Sequence, residues 1–518
     1  MISGILRNTF FKSFYIRYKK IALLLPLLVP LLSSCASLYF QPLPAPTEPL
    51  RIKDLGELPY QELWQGFVFN GEKIGFMNLK IVPMQKENLY RILSEAHMRF
   101  RFLGIDKRIF MKSVDTVRPD LRLVSFHYEQ KMDEKSLILD GTNTEGTLNI
   151  SQKSGDVKKE TKINYTGALY PASVINIYPL LVGMATGVNY RYPVYDPQTQ
   201  SIEEVTQAVI TFEESKELGL EPAYKVETQM HGHSVSSWIN VKGETIFELG
   251  YGGVLITYKE DETSAKKFLV EASMNKKDLI LDFSLIKTDK PISCPRKAVF
   301  LEISVEGLSG SLASLRGPNQ AISEQIINGK IATVFSIRGA LLPKKETVGE
   351  SLNRKDMILY LAPTQHIESD NPEIRKVAFD VVTGVATPVK KIERLVQWVS
   401  AEVKDEIVDS FSALEVLRTR KGECKAHAML YTAMARAAGI PTKLVGGIVY
   451  MEGMGFLYHS WAESYADGWI AVDPTFNQMG VDATHVKLVE GHDWTSLLSL
   501  GKVVGQIKAN IIQYACSQ

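Results

Sequence analysis

Residues 421–438, KGECKAHAMLYTAMARAA, decide the fold of the C-terminal part of this chain. From residue 424 onward the segment contains no Gly or Pro and is rich in Ala, Met and Leu, which favour an α-helix. Gly439 and Pro441 then form a helix stop signal. The pattern predicts a helix that begins at or near Cys424, where free N–H groups and the helix dipole stabilise a thiolate.

Strand-like segments rich in Val, Ile, Tyr and Trp follow this helix. They comprise residues 444–450, 456–465 and 469–472. Asp467-Gly468 predicts a tight hairpin between the last two. Helices followed by an antiparallel sheet make an α+β arrangement, in which a helix and a sheet can each contribute to one cleft.

The register of this hairpin decides whether His459 meets Asp473. Pairing Ser464 with Gly468 places His459 opposite Asp473, with their Cβ atoms about 5 Å apart. A loop of only two residues would place His459 opposite Phe476 instead. In the first register, the carboxylate fixes the tautomer of the imidazole and stabilises its protonated form.

Four motifs in this region carry a resemblance to a known family. They are GEC at the predicted helix start, AMARAAGIPTKLVGGIVY, HSWAESY and GWIAVDPTFNQ. Together they resemble the bacterial transglutaminase-like superfamily, a branch of the papain-like cysteine fold, over about residues 361–490. The resemblance implies that Cys424 is the nucleophile, His459 the base and Asp473 the carboxylate that orients the base.

Neighbouring residues have competing interpretations. Close relatives have GDCNEH where this chain has GECKAH, so Lys425 and Ala426 replace an amide and a carboxylate. His427 lies one turn after Cys424 on the same helix face and is the rival base. We expect His485 to be a structural residue near the sheet edge.

A thiol, an imidazole and a carboxylate are the groups needed for acyl transfer from amide bonds through a thioester. The N–H of Cys424 is one expected oxyanion donor, and Trp398, Trp461 or another backbone group is an option for the second. Residues 451–455 form either a mobile flap or a plain hairpin loop. If water accepts the acyl group the protein is a peptidase or amidase, which we favour, and if an amine accepts it the protein is a cross-linking transglutaminase. The alternative is a non-catalytic binding or assembly module with a vestigial triad.

The N-terminus is typical of an exported lipoprotein. A basic segment precedes a short apolar run, residues 21–32, and then Leu32-Ser33-Ser34-Cys35, which resembles a bacterial lipobox. The resemblance implies a signal peptide over residues 1–34 and a lipid on Cys35, which holds the protein on a membrane of the cell envelope, with the outer membrane favoured. An ordinary secretory signal or an uncleaved anchor is the alternative. Residues 35–60, rich in proline, predict an extended tether.

Composition and motif content exclude several classes of protein. Lys+Arg (59) and Asp+Glu (58) nearly balance, whereas nucleic-acid binding leaves a basic footprint. No paired CxxC or HExxH spacing occurs, so we predict neither a metal nor a cofactor.

His231 and His233 share a strand face, but an exposed turn explains them better. Cys294 and Cys516 either form a disulfide or are separate buried thiols.

The rest of the chain predicts an α+β multidomain protein. Residues 61–262 form an antiparallel β-rich domain with hairpins at Asn70-Gly71 and Asp140-Gly141 and a helix within 170–187. This part is similar to β-rich domains that precede some bacterial transglutaminase-like domains. Residues 263–345 predict a small β connector, and 355–518 the transglutaminase-like domain. Asn371, Thr387 and Ser412 predict helix N-caps.

Overall fold

The computed structural model describes residues 39–517 except 103–104, 134, 145, 251–252, 272–280, 282–283, 309–315, 318, 328–329, 340–352 and 409. The predicted signal peptide, residues 1–34, and the predicted lipidation site Cys35 lie outside the described residues. None of the helices in the described ranges is long and apolar enough to cross a membrane.

The N-terminal part forms one large, mainly antiparallel sheet. Its strands in the described ranges are β1 (Gln41–Pro42), β2 (Glu62–Phe69), β3 (Glu72–Met84), β4 (Leu89–Phe102), β5 (Ile105–Val117), β6 (Leu123–Met132), β7 (Lys135–Thr144), β8 (Thr147–Ser154), β9 (Val157–Asn164), β10 (Tyr170–Pro171), β11 (Asn189–Asp196), β12 (Ser201–Ser215), β13 (Leu220–Met230), β14 (His233–Asn240), β15 (Thr245–Gly250) and β16 (Leu255–Glu260). Consecutive strands pair from β2 to β9 and from β11 to β16, and β16 pairs with β2. Two meanders therefore join into a single sheet.

One of the two predicted hairpins is confirmed and the other is wrong. Asn70 and Gly71 connect β2 to β3 with φ angles of 47° and 79°, as a tight hairpin requires. Asp140 and Gly141 instead lie inside β7. A Cβ atom on Gly141 would lie 1.9 Å from the ring of Phe126. This glycine therefore permits close approach of a side chain rather than a turn.

Residues 41–58 do not form the predicted tether. β1 pairs with β12, and Leu55 and Leu58 are buried in the core beneath the sheet. The apolar residues between the prolines remove enough surface from water to hold the segment against the domain. The helix predicted within 170–187 is present as a 3-10 turn, Ala172–Val174, followed by the short helix α1 (Tyr178–Val182).

A small second sheet connects the two larger parts. It contains β17 (Ala298–Glu306), β18 (Gln320–Ile327), β19 (Lys330–Arg338) and the last strand of the chain, β27 (Lys508–Cys516), in the order β18-β19-β17-β27. The end of the predicted 355–518 domain thus belongs to the sheet of the connector. A disulfide joins Cys294 to Cys516, with Cα atoms 6.3 Å apart, and fastens β27 beside the start of β17.

The C-terminal domain consists of a helical lobe followed by an antiparallel sheet. Before it in the chain, α2 (Glu262–Glu271) packs on β2 and β3. The helices of the lobe are α3 (Arg354–Leu361), α4 (Pro372–Val382), α5 (Pro388–Glu402), α6 (Ala413–Thr419) and α7 (Cys424–Ala437), and a short parallel pair, β20 (Lys404–Asp405) and β21 (Lys421–Gly422), precedes α7. The sheet contains β22 (Thr442–Met451), β23 (Gly455–Tyr465), β24 (Trp469–Asp473), β25 (Gln478–Met479) and β26 (Val486–Gly491), in the order β25-β24-β23-β22-β26. The predicted α+β multidomain fold is confirmed.

The sequence signals for the helical lobe act as predicted. The side chains of Asn371, Thr387 and Ser412 accept hydrogen bonds from backbone N–H groups at the starts of α4, α5 and α6. These caps satisfy donors that have no partner within a helix. Helix α7 is packed between the other helices and the sheet, and nearly all of its residues after Lys425 are buried.

Polar contacts join the N-terminal sheet to the helical lobe. Glu415 in α6 pairs with Lys135 at 2.9 Å and accepts a hydrogen bond from Ser154 at 3.2 Å. Lys159 donates to the carbonyl of Gln365 at 3.1 Å. The edge formed by β7, β8 and β9 therefore supports the lobe that carries Cys424.

Candidate active site

The backbone before α7 is shaped so that the helix begins at Cys424. Glu423 is the N-cap residue, with extended backbone angles, and Cys424 is the first helical residue. The turn is tight, because a Cβ atom on Gly422 would lie 2.1 Å from the Cβ of Ala426. The thiol of Cys424 is free and partly exposed. The nucleophile predicted from the sequence thus lies where the helix dipole favours an anion and where a substrate can reach it.

His459 and Asp473 meet as predicted, but in a different register. Tyr465 pairs with Trp469, so Thr475, beyond the end of β24, would fall opposite His459 if the ladder continued. Asp473 lies two residues away on the same face, a diagonal position within reach of a long side chain. Its Oδ2 atom lies 2.8 Å from Nε2 of His459. His459 is 7% exposed and Asp473 is fully buried.

The imidazole of His459 also contacts the thiol. The charge of Cys424 and a hydrogen bond between the two side chains both act on His459. Since Nε2 of His459 contacts Asp473, Nδ1 is the nitrogen left to face the sulfur. The structure therefore brings Cys424, His459 and Asp473 together in the order that nucleophilic catalysis requires.

Hydrogen bonds to both oxygens hold the carboxylate of Asp473. Oδ1 accepts from the backbone N–H of Thr475 at 2.8 Å and from that of Phe476 at 3.3 Å. Oδ2 contacts Nε2 of His459 and, at 3.0 Å, Nε2 of His485. With four partners, Asp473 has one fixed orientation, which in turn fixes the ring of His459.

His485 is the residue of this site that the sequence did not reveal. It was predicted as a structural residue at the sheet edge, but it is fully buried beside Asp473. Its Nδ1 atom lies 3.3 Å from Oδ1 of Asp482 and 3.2 Å from the Asp482 carbonyl. The position follows from the pairing of β26 with β22, because His485 directly precedes β26 in the chain. Local sequence patterns carry no signal for that return.

The connector also contributes a residue to the site. Arg296 lies 3.0 Å from Oδ2 of Asp482 through Nη1 and donates to Thr484 Oγ1 at 3.2 Å. Its guanidinium lies 4.3 Å from the centre of the Phe476 ring. That ring stacks on the imidazole of His459, with centres 5.0 Å apart and planes 14° apart. Arg296 therefore supports the site through both Asp482 and Phe476.

These contacts produce strong and opposite pKa shifts. Burial alone would lower the pKa of His459, but Asp473 and Cys424 raise it to about 9. Burial opposes protonation of His485 in the same way, whereas Asp482 and Asp473 raise its pKa to about 9. Burial would raise the pKa of the carboxyl of Asp473, yet the two histidines hold it far below its usual range. His485 and Arg296 likewise lower the pKa of Asp482 to about 2 against the effect of burial.

The same atoms fit a hydrogen-bond network better than a metal site. The ligand atoms of His459, Asp473 and His485 lie within 4.8 Å of one another, which is close enough to consider a metal. However, both His nitrogens lie 2.8–3.0 Å from the same carboxylate oxygen. Two ligands of a tetrahedral zinc ion with bonds of about 2.0 Å lie roughly 3.3 Å apart. The contacts are therefore hydrogen bonds between charged groups.

The structure also gives the positions of His427, which is the rival base, of Lys425 and of residues 451–455. Both ring nitrogens of His427 face backbone carbonyls, Glu423 at 3.0 Å and Val403 at 3.1 Å, so its imidazole holds the start of α7. Lys425 lies over the ring of Trp494, 4.1 Å from its centre. Residues 451–455 form the turn of the β22–β23 hairpin, where Met451 pairs with Gly455.

The structure does not assign oxyanion donation to Trp398 or to Trp461. Trp398 packs against Arg420, whose guanidinium lies 4.4 Å from the centre of its ring. Trp461 is buried, and its ring lies nearly parallel to that of His459 with centres 6.2 Å apart. The N–H of Cys424, at the helix start, remains the expected oxyanion donor.

Comparison with known proteins agrees with this site. Residues 375–474 match the family model of the transglutaminase-like superfamily. No curated protein matches the chain in sequence.

Similar solved structures include three bacterial proteins. A candidate cysteine protease from Cytophaga hutchinsonii is 17% identical over 42% of this chain and 86% of its own, with a TM-score of 0.29. A β-barrel-like protein from Brucella abortus, which represents a domain of unknown function, is 10% identical over 38% of this chain and 94% of its own, with a TM-score of 0.28. A candidate protease from Parabacteroides distasonis is 10% identical over 76% of this chain and 68% of its own, with a TM-score of 0.19.

The family match covers α4 from Arg375 onward, then α5, α6 and α7 and the strands that carry His459 and Asp473. It therefore contains all three residues that the sequence motifs singled out. Residues 375–474 therefore form a transglutaminase-like domain.

Proposed function

We propose that the protein is a cysteine acyl-transfer enzyme that hydrolyses amide bonds of protein or peptide substrates. The observation that carries the proposal is the linked set of Cys424, His459 and Asp473. The nucleophile is partly exposed, while its base and the orienting carboxylate are buried. That combination lets a substrate reach the sulfur and keeps the proton-transfer groups in a fixed geometry.

The thiol proton of Cys424 passes to Nδ1 of His459, and the sulfur attacks the amide carbonyl carbon. Negative charge develops on the carbonyl oxygen, where the N–H at the helix start donates a hydrogen bond. The C–N bond then breaks, and Nδ1 of His459 gives its proton to the departing amine. A thioester on Cys424 remains. A water molecule then loses a proton to His459 and attacks the thioester carbonyl, and the C–S bond breaks to give a carboxylic acid and the Cys424 thiolate beside protonated His459.

Asp473 acts on this cycle through His459. Its carboxylate holds Nε2 of His459 at 2.8 Å, so that Nδ1 faces the sulfur throughout. His485, Asp482 and Arg296 extend the arrangement, because each neutralises the charge of the group before it. We assign these three as positioning residues, since none of them faces the thiol.

Location in the cell envelope is part of the proposal. The lipobox-like Leu32-Ser33-Ser34-Cys35 motif supports lipidation of Cys35, and with it attachment to a membrane surface, with the outer membrane favoured. Metabolic labelling with a radioactive fatty acid tests this directly. We expect label on the wild-type chain and none on Cys35→Ala, and equal labelling of both would contradict the anchor.

The choice of acyl acceptor can be measured. We would incubate the full chain with a peptide library, with and without a labelled primary amine, and analyse the products by mass spectrometry. Cleaved peptides that depend on Cys424 support hydrolysis. Incorporation of the amine without cleavage would instead establish a transglutaminase. The absence of both products, together with an unreactive Cys424, would favour a binding module with a vestigial triad.

A further inference from the structure

A cavity lies in the N-terminal sheet, outside the transglutaminase-like domain. Its volume is about 340 Å³, and all the residues that line it lie between Tyr60 and Thr245. Protein cavities of about 300–1,000 Å³ commonly bind small molecules. One water molecule takes up about 30 Å³ of liquid, so this cavity can hold a ligand of roughly ten non-hydrogen atoms.

Most of the wall is apolar and comes from neighbouring strands. β2, β3, β5 and β6 contribute Leu63, Phe67, Met77, Leu79, Met111 and Phe126. Such side chains favour the hydrocarbon part of a ligand, and methionine adapts to its shape. The wall alone therefore selects an apolar body of moderate size.

A buried carboxyl group interrupts this apolar wall. Asp115 on β5 is 5% exposed, and Ser113 Oγ donates to its Oδ2 atom at 2.9 Å. Burial raises the pKa of Asp115 to about 6, against the opposing effect of the hydroxyls of Ser173 and Ser113. Within the described part of the chain, no lysine, arginine or histidine contributes to this balance. A buried carboxylate without a cation is costly, and proteins normally pair such groups.

The other carboxylate in the lining shows the contrast. Oδ2 of Asp196 lies 2.8 Å from Nε2 of His231, and its Oδ1 accepts from the backbone N–H of Gln198 at 2.9 Å. Asp196 thus has its cation, whereas Asp115 has only hydroxyl partners. Tyr195 is another lining residue, and its hydroxyl is buried and has no hydrogen-bond partner among the described residues.

We propose that this cavity binds a small molecule with an apolar body and a primary ammonium group, which pairs with the carboxylate of Asp115. An ammonium has three N–H donors. It can satisfy the free acceptor capacity of Asp115. A ligand of this kind supplies a cation beside Asp115, on which no basic side chain acts, and its hydrocarbon part contacts the apolar wall.

The test uses n-octylamine as the probe, titrated into the full chain by calorimetry at pH 7.5. Octanol and octanoate have nearly the same size but lack the positive charge. We expect saturable binding of octylamine at least tenfold tighter than that of either analogue. Equal binding of the three, or no saturable binding of octylamine, would overturn the proposal.

Asp115→Asn keeps the shape of the side chain and removes its charge, and it should weaken octylamine binding at least tenfold. Glu213→Gln is the matched control, because this buried carboxylate accepts a hydrogen bond from Trp238 and does not line the cavity, and the octylamine affinity of the variant should stay close to that of the wild type. Unchanged binding in Asp115→Asn would contradict the proposal. If that variant does not fold, Met111→Trp fills the cavity and leaves Asp115 intact. Binding of octylamine that survives this filling would equally refute the site.

The pH dependence gives a measurement on the wild type alone. The other titratable groups in the lining are Tyr60, Tyr128, Tyr195, Lys112 and Asp196. Burial raises the pKa of each tyrosine, so these side chains are neutral between pH 5 and 7.5. At pH 5 the carboxyl of Asp115 is mostly protonated, so octylamine must displace a proton and should bind about tenfold more weakly than at pH 7.5. Affinity that does not change with pH would exclude Asp115 as the partner.

Discussion

Nε2 of His485 lies 3.0 Å from Oδ2 of Asp473, the same oxygen that contacts His459. This contact extends the triad into a row of alternating charges that runs from Cys424 through His459, Asp473, His485 and Asp482 to Arg296. Each neighbour has the opposite charge when both histidines are protonated. The raised pKa values of the two histidines and the lowered ones of the two carboxyl groups agree with that state. The connector is therefore linked electrostatically to the thiol.

The first prediction concerns His485→Gln. Loss of a hydrogen bond to Asp473 should loosen His459 and slow alkylation of Cys424 several-fold. Loss of the positive charge should also raise the pKa of His459, because one like charge is gone. The upper limb of the pH–rate profile for alkylation reflects the titration of His459, near pH 9 in the wild type. We expect this limb to move to higher pH in the variant.

A matched control for His485 exists in the same domain. His366 is also buried and paired with a carboxylate, Asp493, at 3.1 Å, but it does not contact Asp473 or Cys424. His366→Gln should leave the upper limb of the profile where it is. If His485→Gln changes only the rate and not the position of the limb, His485 is structural and the row of charges has no effect on His459.

The second prediction tests the connector. Arg296→Met removes the cation beside Asp482 and the partner of the Phe476 ring. We expect a lower free energy of unfolding by about 1–3 kcal/mol, because a buried carboxylate loses its partner while the arginine itself is partly exposed. Activity should fall further than in Arg296→Lys, which retains the charge. Arg338→Met, which removes a cation over the ring of Phe300 in the same connector, is the control. Equal effects of Arg296→Met and Arg338→Met would contradict a specific link to the site.

The third prediction is a dependence of stability on pH. A pKa of about 9 for His485 lies above the usual histidine pKa of about 6.5, so its stabilising effect is complete below pH 6.5 and disappears as the pH rises through 9. We expect the free energy of unfolding to fall by about 1–3 kcal/mol over that range through this group. Denaturant titrations at pH 6 and pH 9.5 measure the change. His485→Gln should flatten it, and an unaltered slope in that variant would be the contrary result.

The carboxyl groups act at the other end of the pH scale. The lowered pKa values of Asp473 and Asp482 stabilise the fold above pH 3.8, and this contribution is lost as the pH falls through about 2 for Asp482. The site therefore contributes most between about pH 4 and pH 6.5. Asp482→Asn lacks this contribution, so its free energy of unfolding should fall less than that of the wild type between pH 4 and pH 2. An equal fall in both proteins would show that other carboxylates dominate acid unfolding.

The fourth prediction concerns Gly141. A side chain at this position would overlap the ring of Phe126, since its Cβ would lie 1.9 Å from the ring. Gly141→Ala should destabilise the N-terminal sheet by about 1–3 kcal/mol. Gly155, a turn glycine with nothing near its Cβ position but a φ of 55°, should tolerate alanine with a smaller loss. A larger effect at Gly155 would show that Phe126 moves aside easily.

Local sequence patterns were sufficient for Cys424 and for the helical lobe. The stop signal at Gly439, the caps at Asn371, Thr387 and Ser412, and the hairpin at Asn70-Gly71 depend only on nearby residues, and the structure has each of them. The meeting of His459 with Asp473 could also be predicted, because one hairpin joins them. Its register could not, since the turn contains one residue more than Asp467 and Gly468.

Features that depend on distant parts of the chain were not predictable. His485 reaches Asp473 through the pairing of β26 with β22. Arg296 contacts Asp482 although the two residues are 186 residues apart in the chain, from 296 to 482. The pairing of Cys294 with Cys516 likewise spans 222 residues. The prolines of residues 41–58 predict a tether, but the leucines of this segment are buried against the N-terminal sheet. Only the tertiary fold establishes such contacts.

The most direct test of the account measures how fast iodoacetamide modifies Cys424 at pH 7. Peptide mapping by mass spectrometry separates this cysteine from the others. We predict fast modification in the wild type and a rate at least tenfold lower in His459→Ala, because the imidazole stabilises the thiolate. His427→Ala serves as the control and should retain most of the wild-type rate if it still folds. Slow modification of Cys424 that is the same with and without His459 would contradict the central claim that these two side chains act together.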